Sequence, residues 1–118
     1  MPYTTVARPE GSPKSYRLGT NAKKYTFRDL GFQETRQGNF QLVRDLDPTP
    51  QIKSGVKLKI TVNKTLEGLK MSIVSQDGMR AIDIFANNSE EGKMIQQKFN
   101  FVMNNLIQRN CIEEVENN

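Results

Sequence analysis

The chain has 118 residues, of which 36% are hydrophobic and 25% charged, and its formal net charge at pH 7 is +4. This length and apolar content are sufficient for one hydrophobic core, and we expect a single domain over residues 1–118. The sequence contains no histidine and one cysteine, Cys111. These counts exclude an intrachain disulfide, a histidine general base and histidine metal ligands, so we expect neither a cofactor nor a metal site.

The first residues lack the basic and apolar regions of a secretory signal peptide. No stretch approaches the ~20 apolar residues that a membrane-spanning helix needs. A single cysteine is typical of a reducing compartment. The sequence therefore predicts a cytoplasmic protein without a membrane partner.

The positive charge is concentrated in the first two thirds of the chain. Residues 1–80 contain fourteen Lys and Arg and seven Asp and Glu, whereas residues 81–118 contain three and six. Such an excess favours binding of nucleic acid or of an acidic partner, and it also keeps a small protein soluble.

The N-terminal elements are predicted to be short. Residues 3–7 are interpreted as a strand that pairs with a second strand, Ser15–Leu18, across a turn rich in Pro and Gly. Thr26 is expected to cap a helix of one turn, and Gly31 is expected to end it in a left-handed conformation.

The next predicted element is a hairpin between residues 32–35 and residues 39–43. A three-residue loop places Glu34 opposite Phe40, and Gly38 takes the positive φ that such loops require. The following residues, up to residue 55, contain two prolines and are interpreted as a loop.

Residues 56–63 alternate strictly between apolar and polar side chains, which predicts a half-buried strand. A second strand carries Leu69, Met71 and Ile73 on the same face. Asp77-Gly78 is a strong hairpin signal, and the pairing it implies predicts a three-stranded antiparallel meander over residues 56–85.

A long amphipathic helix is predicted near the C-terminus, with Ser89 as its N-cap and Glu90 and Glu91 in its first turn. Its apolar stripe packs on the apolar face of the sheet, which gives an α+β fold of antiparallel strands against one helix. We expect Cys111 to extend the stripe, and residues 113–118 to form a frayed acidic tail. The stripe consists of Met94, Ile95, Phe99, Val102, Met103, Leu106 and Ile107.

The sequence shows no pairing of a nucleophile with its base and no phosphate-binding loop. Two interpretations of Cys111 remain open: a packed core residue, or a reactive thiolate near Arg109. Glu34 and Asp83 fall within predicted strands, where they form either an acid and base pair or part of a solvated face.

The candidate interaction surface is the basic and aromatic segment that begins at Lys23, with Arg80 and Asp83 as further candidates. Lys57 and Lys59 project from the outer face of the central strand, which suits RNA or single-stranded DNA but also protects a strand against aggregation. The residues of the segment are Lys23, Lys24, Tyr25, Phe27 and Arg28.

Several segments resemble domain-of-unknown-function family 1831 of lactic acid bacteria and related Firmicutes. The resemblance covers nearly the whole chain and implies an α+β fold of two antiparallel β-sheets, with about six strands, against one helix. The segments are KKYTFRDLGF (23–32), GNFQL (38–42), LDPT (46–49), GVKLK (55–59), DGMRA (77–81) and LIQRN (106–110).

By analogy, that fold is remotely similar to S-adenosylmethionine decarboxylases, and the family's gene context implies amino-acid or sulfur metabolism near cysteine desulfurases. Such decarboxylases form a pyruvoyl group from an internal serine and use nearby His and Cys. Because this chain has no His, no catalytic residue is carried over.

Three functions follow as hypotheses. The first is a non-enzymatic accessory or binding protein of amino-acid or sulfur metabolism, with a partner such as a cysteine desulfurase. The second is a small-molecule-binding or catalytic domain with Glu34 or Asp83 in a groove between the sheets. The third is an RNA or single-stranded DNA binding module, although we expect no nucleic-acid partner. A homodimer is left open.

Overall fold

The computed structural model describes residues 3–51, 53–86 and 88–115. Its strands form two antiparallel sheets, one of order β2-β3-β4-β5 and one that pairs β1 with β6. The predicted α+β class, with two antiparallel sheets and one long helix near the C-terminus, is confirmed. The elements are β1 (Ser15–Leu18), α1 (Lys24–Asp29), β2 (Gln33–Glu34), β3 (Phe40–Asp45), β4 (Lys57–Val62), β5 (Leu69–Val74), a 3₁₀ turn (Ile84–Ala86), α2 (Glu90–Gln108) and β6 (Ile112–Val115).

The hydrophobic core lies between the four-stranded sheet and α2. The alternation of β4 is as predicted, since Leu58, Ile60 and Val62 are fully buried. Helix α2 begins as predicted, because the Ser89 hydroxyl accepts a hydrogen bond from the Gly92 N–H at 3.0 Å. Its buried apolar residues are Ile95, Phe99, Val102, Met103 and Leu106. None of the described helices is long and apolar enough to span a membrane.

The other face of the sheet, here called the outer face, is polar because alternate residues of each strand point away from the core. Antiparallel register aligns its residues in three cross-strand rows. The rows are Gln41, Thr61 and Lys70; Val43, Lys59 and Ser72; and Asp45, Lys57 and Val74.

The hairpin between β2 and β3 forms in the predicted register. Glu34 lies opposite Phe40, and Gly38 has φ +87°. The Thr35 N–H donates to the Asn39 carbonyl oxygen at 2.7 Å. The length of the loop, with Gly38 at its positive-φ position, therefore predicted this register correctly.

Residues 3–7 do not form the predicted strand. Thr4 pairs with Leu69 of β5, and Ala7 pairs with Tyr16 of β1, each as an isolated bridge. Bends between these two contacts take the segment from one sheet to the other. The N-terminal segment therefore connects the two sheets.

The predicted meander is wrong in its third strand. The register is correct, since Val74 pairs with Ala81, but the pairing ends there. The Asp83 carboxylate accepts hydrogen bonds from the backbone N–H groups of Phe85 and Ala86, at 2.9 and 3.2 Å. This side-chain cap competes with the strand ladder and starts the 3₁₀ turn instead.

Helix α1 ends at Gly31 as predicted, with φ +95°. The Phe32 N–H donates to the Phe27 carbonyl oxygen at 3.0 Å, and the two rings lie 5.2 Å apart between centroids. This is a Schellman motif with its hydrophobic contact. The predicted capping role of Thr26 is shifted: Lys23 is the N-cap residue, and its N–H donates to the Thr26 hydroxyl at 3.1 Å.

The predicted frayed tail is wrong for residues 113–115, which belong to β6; residues 116–118 lie outside the described residues. Glu113 lies opposite Arg17, and their side chains form an ion pair at 2.9 Å. The acidic residues of this segment are thus partners of β1. Cys111 also leaves the helical stripe, because Asn110 has φ +62° and ends α2 before it.

Candidate ligand-binding groove

A groove of about 640 Å³ lies on the outer face of the four-stranded sheet. Its volume is in the range of small-molecule sites. The floor consists of outer-face residues from β3, β4 and β5. The N-terminal segment forms one wall and the loop of the β2–β3 hairpin forms the other. The floor residues are Gln41, Lys59, Thr61, Lys70 and Ser72.

The N-terminal wall is fixed to the edge strand β5. Thr4 and Leu69 exchange two backbone hydrogen bonds, at 3.1 and 2.9 Å. The Lys70 ammonium lies 4.4 Å from the centroid of the Tyr3 ring. Backbone and side chain together hold Tyr3 and Thr4 beside the groove.

The opposite wall is the hairpin loop, which contributes Thr35, Gln37 and Asn39 to the groove. The Asn39 side-chain oxygen accepts a hydrogen bond from the Lys64 N–H at 2.9 Å. This bond fixes the amide so that its NH₂ group remains available as a donor.

The charge of the groove is of one sign. Arg8, Lys59 and Lys70 line it, and no Asp or Glu is among the described residues of its lining. The ion pairs of the described residues, which join Lys14 to Glu114, Arg17 to Glu113 and Arg28 to Glu34, involve none of these three cations. A concave site with unpaired charge of one sign attracts ligands of the opposite sign.

Four floor residues form a square on neighbouring strands. Lys59 lies opposite Ser72, and Thr61 lies opposite Lys70. The two lysines thus occupy one diagonal and the two hydroxyl groups the other. All four can donate hydrogen bonds toward the groove, so this four-residue square has the donor chemistry of an anion site.

The predicted interaction surface is only partly at the protein surface. Lys23, Lys24 and Arg28 are exposed, and the Tyr25 side chain is 64% exposed. Phe27 is completely buried, so its assignment to an interaction surface is wrong. Its ring packs against Phe32, which follows the end of α1, and against Phe40 at the start of β3.

Arg80 and Asp83 are exposed and lie outside the strands of the four-stranded sheet. They follow β5, whereas α1 contacts β2 and β3 through Arg28, whose guanidinium is 3.8 Å from Glu34. The structure therefore does not bring the predicted residues together. Neither Glu34 nor Asp83 lines the outer groove, and the groove between the sheets stays a prediction.

Cys111 is completely buried, and burial raises the pKa of its thiol to about 12. The packed interpretation of this residue is confirmed. The described residues contain no group of three or more His, Cys, Asp or Glu that could hold a metal ion.

Sequence reasoning placed Lys57 and Lys59 on the outer face but missed the groove itself. The available signal was the placement of Lys59 and Thr61 on one face of β4, and of Lys70 and Ser72 on the same face of β5. It was incomplete because the walls come from Arg8 and the hairpin loop, which are remote in sequence from the floor.

No curated protein shows significant similarity to the chain. The chain is similar to the crystal structure of a DUF1831 family protein from Lactobacillus plantarum, with 36% sequence identity and a TM-score of 0.86. The match covers 98% of this chain and 99% of that one.

The model of the family DUF1831, whose description reads "Putative amino acid metabolism", matches residues 1–113. The matched range includes both sheets up to Glu113, α2 and every residue that lines the outer groove. The chain therefore belongs to the DUF1831 family.

Proposed function

We propose that this protein is a non-enzymatic binding protein of amino-acid metabolism, and that its outer groove holds a small anionic ligand. One observation carries the proposal: the three cations that line the groove form no ion pair with a described residue, and its described lining contains no carboxylate. The family description supplies the link to amino-acid metabolism.

The position of the cations supports a binding site. Lys59 and Lys70 arise from strands of the sheet, so their backbone is held by ladder hydrogen bonds. Sites on regular elements position side chains more precisely than sites on loops. An anion in the groove would also neutralise charges that repel one another in its absence.

The groove offers groups that bind rather than react. Ser72 is the cross-strand neighbour of Lys59, but no hydrogen bond between their side chains is among those of the described residues. A serine nucleophile needs such a base within hydrogen-bond distance. The residues of the groove therefore support recognition and orientation of a ligand.

The test is a thermal-shift and calorimetric titration with a panel of carboxylates and phosphates. We expect saturable binding that weakens as the salt concentration rises, because the interaction is electrostatic. Lys59→Ala should reduce the affinity by about tenfold or more, since a hydrogen bond to a charged group is lost.

Lys57→Ala is the matched control. Lys57 is on the same strand and the same face, two residues away, but does not line the groove. The proposal fails if no anion binds, or if Lys57→Ala and Lys59→Ala weaken binding equally.

A second candidate function uses the surface of α1. The exposed ring of Tyr25 lies beside Lys24 on the helix and one turn before Arg28, and such aromatic and basic residues often carry protein interfaces. An acidic partner protein, such as a cysteine desulfurase, is proposed for this surface.

Titration of the purified desulfurase with wild type and with Tyr25→Ala tests this second candidate function. Lys93→Ala on α2 serves as control, and equal affinity of Tyr25→Ala and wild type excludes this candidate.

A further inference from the structure

We infer that the ligand of the outer groove is an organic dianion without an ammonium group, and that the groove discriminates against free amino acids. This inference rests on the proposed function and names the chemistry of the ligand. It is carried by the four-residue square and by the absence of carboxylates from the described lining.

The square is built for an anionic group with several acceptor oxygens. Lys59 and Lys70 are diagonal neighbours on adjacent strands; such neighbours are ~7–8 Å apart, and their Cβ atoms are somewhat closer. Lysine side chains are long enough to contact one anionic group of a ligand from two sides. The hydroxyls of Thr61 and Ser72 occupy the remaining corners, so four residues that carry donors are neighbours on the floor.

Two negative charges match this arrangement better than one. Two lysines belong to the square, and Arg8 adds a third cation from the N-terminal wall. A monoanion would leave two of the three cations without a counter-charge. A carboxylate pair or a phosphate monoester supplies the second charge within a small molecule.

An ammonium group would find no counter-charge in the groove. The described lining has no Asp or Glu, and the central strand β4 uses its backbone carbonyls in the ladders to β3 and β5. The Asn39 side-chain oxygen already accepts a hydrogen bond from the Lys64 N–H. The α-ammonium of an amino acid would instead meet three cations, and like charges at short distance are strongly unfavourable.

The hairpin side of the groove is polar and neutral. Thr35, Gln37 and Asn39 form the hairpin wall, and Gln41 lies on the floor next to Thr61 of the square. Gln41 donates to the Thr61 hydroxyl at 3.4 Å, which orders the floor between these two parts. A ligand with an anionic head and an uncharged, hydrogen-bonding body fits this division.

The experiment compares two pairs of probes that differ in the ammonium group. 2-Oxoglutarate is compared with glutamate, and ethyl phosphate with phosphoethanolamine, by calorimetric titration of the full chain. We expect at least one ammonium-free probe to bind, about tenfold or more tightly than its ammonium-bearing partner. The pair that binds distinguishes a dicarboxylate from a phosphate ligand.

Variants assign the binding to the square. Lys59→Met should weaken binding of the preferred probe about tenfold, and Ser72→Ala, which removes only a hydroxyl, should weaken it by a smaller factor. Lys57→Met should leave it unchanged. Circular dichroism of each variant separates a loss of binding from a loss of folding.

The outcomes separate the two proposals. If glutamate or phosphoethanolamine binds as tightly as its ammonium-free partner, and Lys59→Met weakens that binding, the inference is overturned while the proposed function stands. If none of the four probes binds the folded wild-type chain, the inference is overturned, and the proposed function also fails if no anion of the wider carboxylate and phosphate panel binds.

Discussion

The Lys70 ammonium lies 4.4 Å from the centroid of the Tyr3 ring, a cation–π contact between the edge strand β5 and the N-terminal segment. This contact lies beside the backbone pair of Thr4 and Leu69. Because the segment forms one wall of the outer groove, the contact couples the shape of the groove to the edge of the sheet.

Replacement of Tyr3 should loosen this wall without unfolding the protein. Tyr3→Ala removes a contact worth about 0.5–1 kcal/mol at an exposed site, whereas Tyr3→Phe keeps an aromatic ring under the ammonium. We expect faster hydrogen exchange of the Leu69 amide in Tyr3→Ala, and wild-type exchange in Tyr3→Phe. Equal exchange in all three proteins would show that the backbone pair alone holds the wall.

Phe27 and Tyr25 should respond to truncation in opposite ways, although both belong to the predicted interaction surface. Phe27→Ala removes a completely buried ring and should lower the free energy of unfolding by about 3–5 kcal/mol. Tyr25→Ala removes an exposed ring and should change it by less than about 0.5 kcal/mol. Urea denaturation measures both. A small effect of Phe27→Ala would contradict its place in the core.

The stability contributed by Glu113 should depend on pH. The Thr20 N–H and the Arg17 side chain donate hydrogen bonds to its carboxylate and hold the pKa of Glu113 below its usual value. A carboxyl group with a lowered folded-state pKa stabilises the protein above its unfolded pKa, and this stabilisation is lost as the pH falls through the folded pKa.

The test compares the free energy of unfolding of wild type and Glu113→Gln at several pH values. We expect wild type to be the more stable at pH 7, and the difference to shrink toward zero as the solution is acidified below the usual Glu pKa. Glu67→Gln is the control, because no ion pair of Glu67 is among those of the described residues. A difference that stays constant with pH would refute the role of the charge.

Cys111 should be unreactive in the folded protein. Burial raises the pKa of its thiol to about 12, so almost no thiolate is present at pH 8, and the side chain is inaccessible to reagents. We expect no labelling by a maleimide under native conditions, and complete labelling in denaturant. Rapid labelling of the native protein would restore the interpretation of Cys111 as a reactive thiolate.

Local patterns in the sequence determined much of the fold. The period of two in residues 56–63 identified β4, and Ser89 with the apolar stripe identified α2, because burial of one face imposes these periods. Gly38 set the register of the β2–β3 hairpin through its positive φ. Each of these features depends on residues that are close together in the sequence.

Only the tertiary structure decided the pairing of β6 with β1. In this pairing Glu113 lies opposite Arg17, although the two residues are 96 positions apart in the sequence. The local sequence of residues 112–115 is compatible with a frayed tail and with a strand, and pairing with the distant strand β1 decides between them. The groove has the same origin. Lys59 and Ser72 are neighbours because of the register between β4 and β5. Arg8 follows the N-terminal segment, whose sequence pattern did not predict its separate bridges to the two sheets, and it lines the same groove. The sequence by itself determined which residues are polar and exposed, whereas long-range pairing decided which of them share one site.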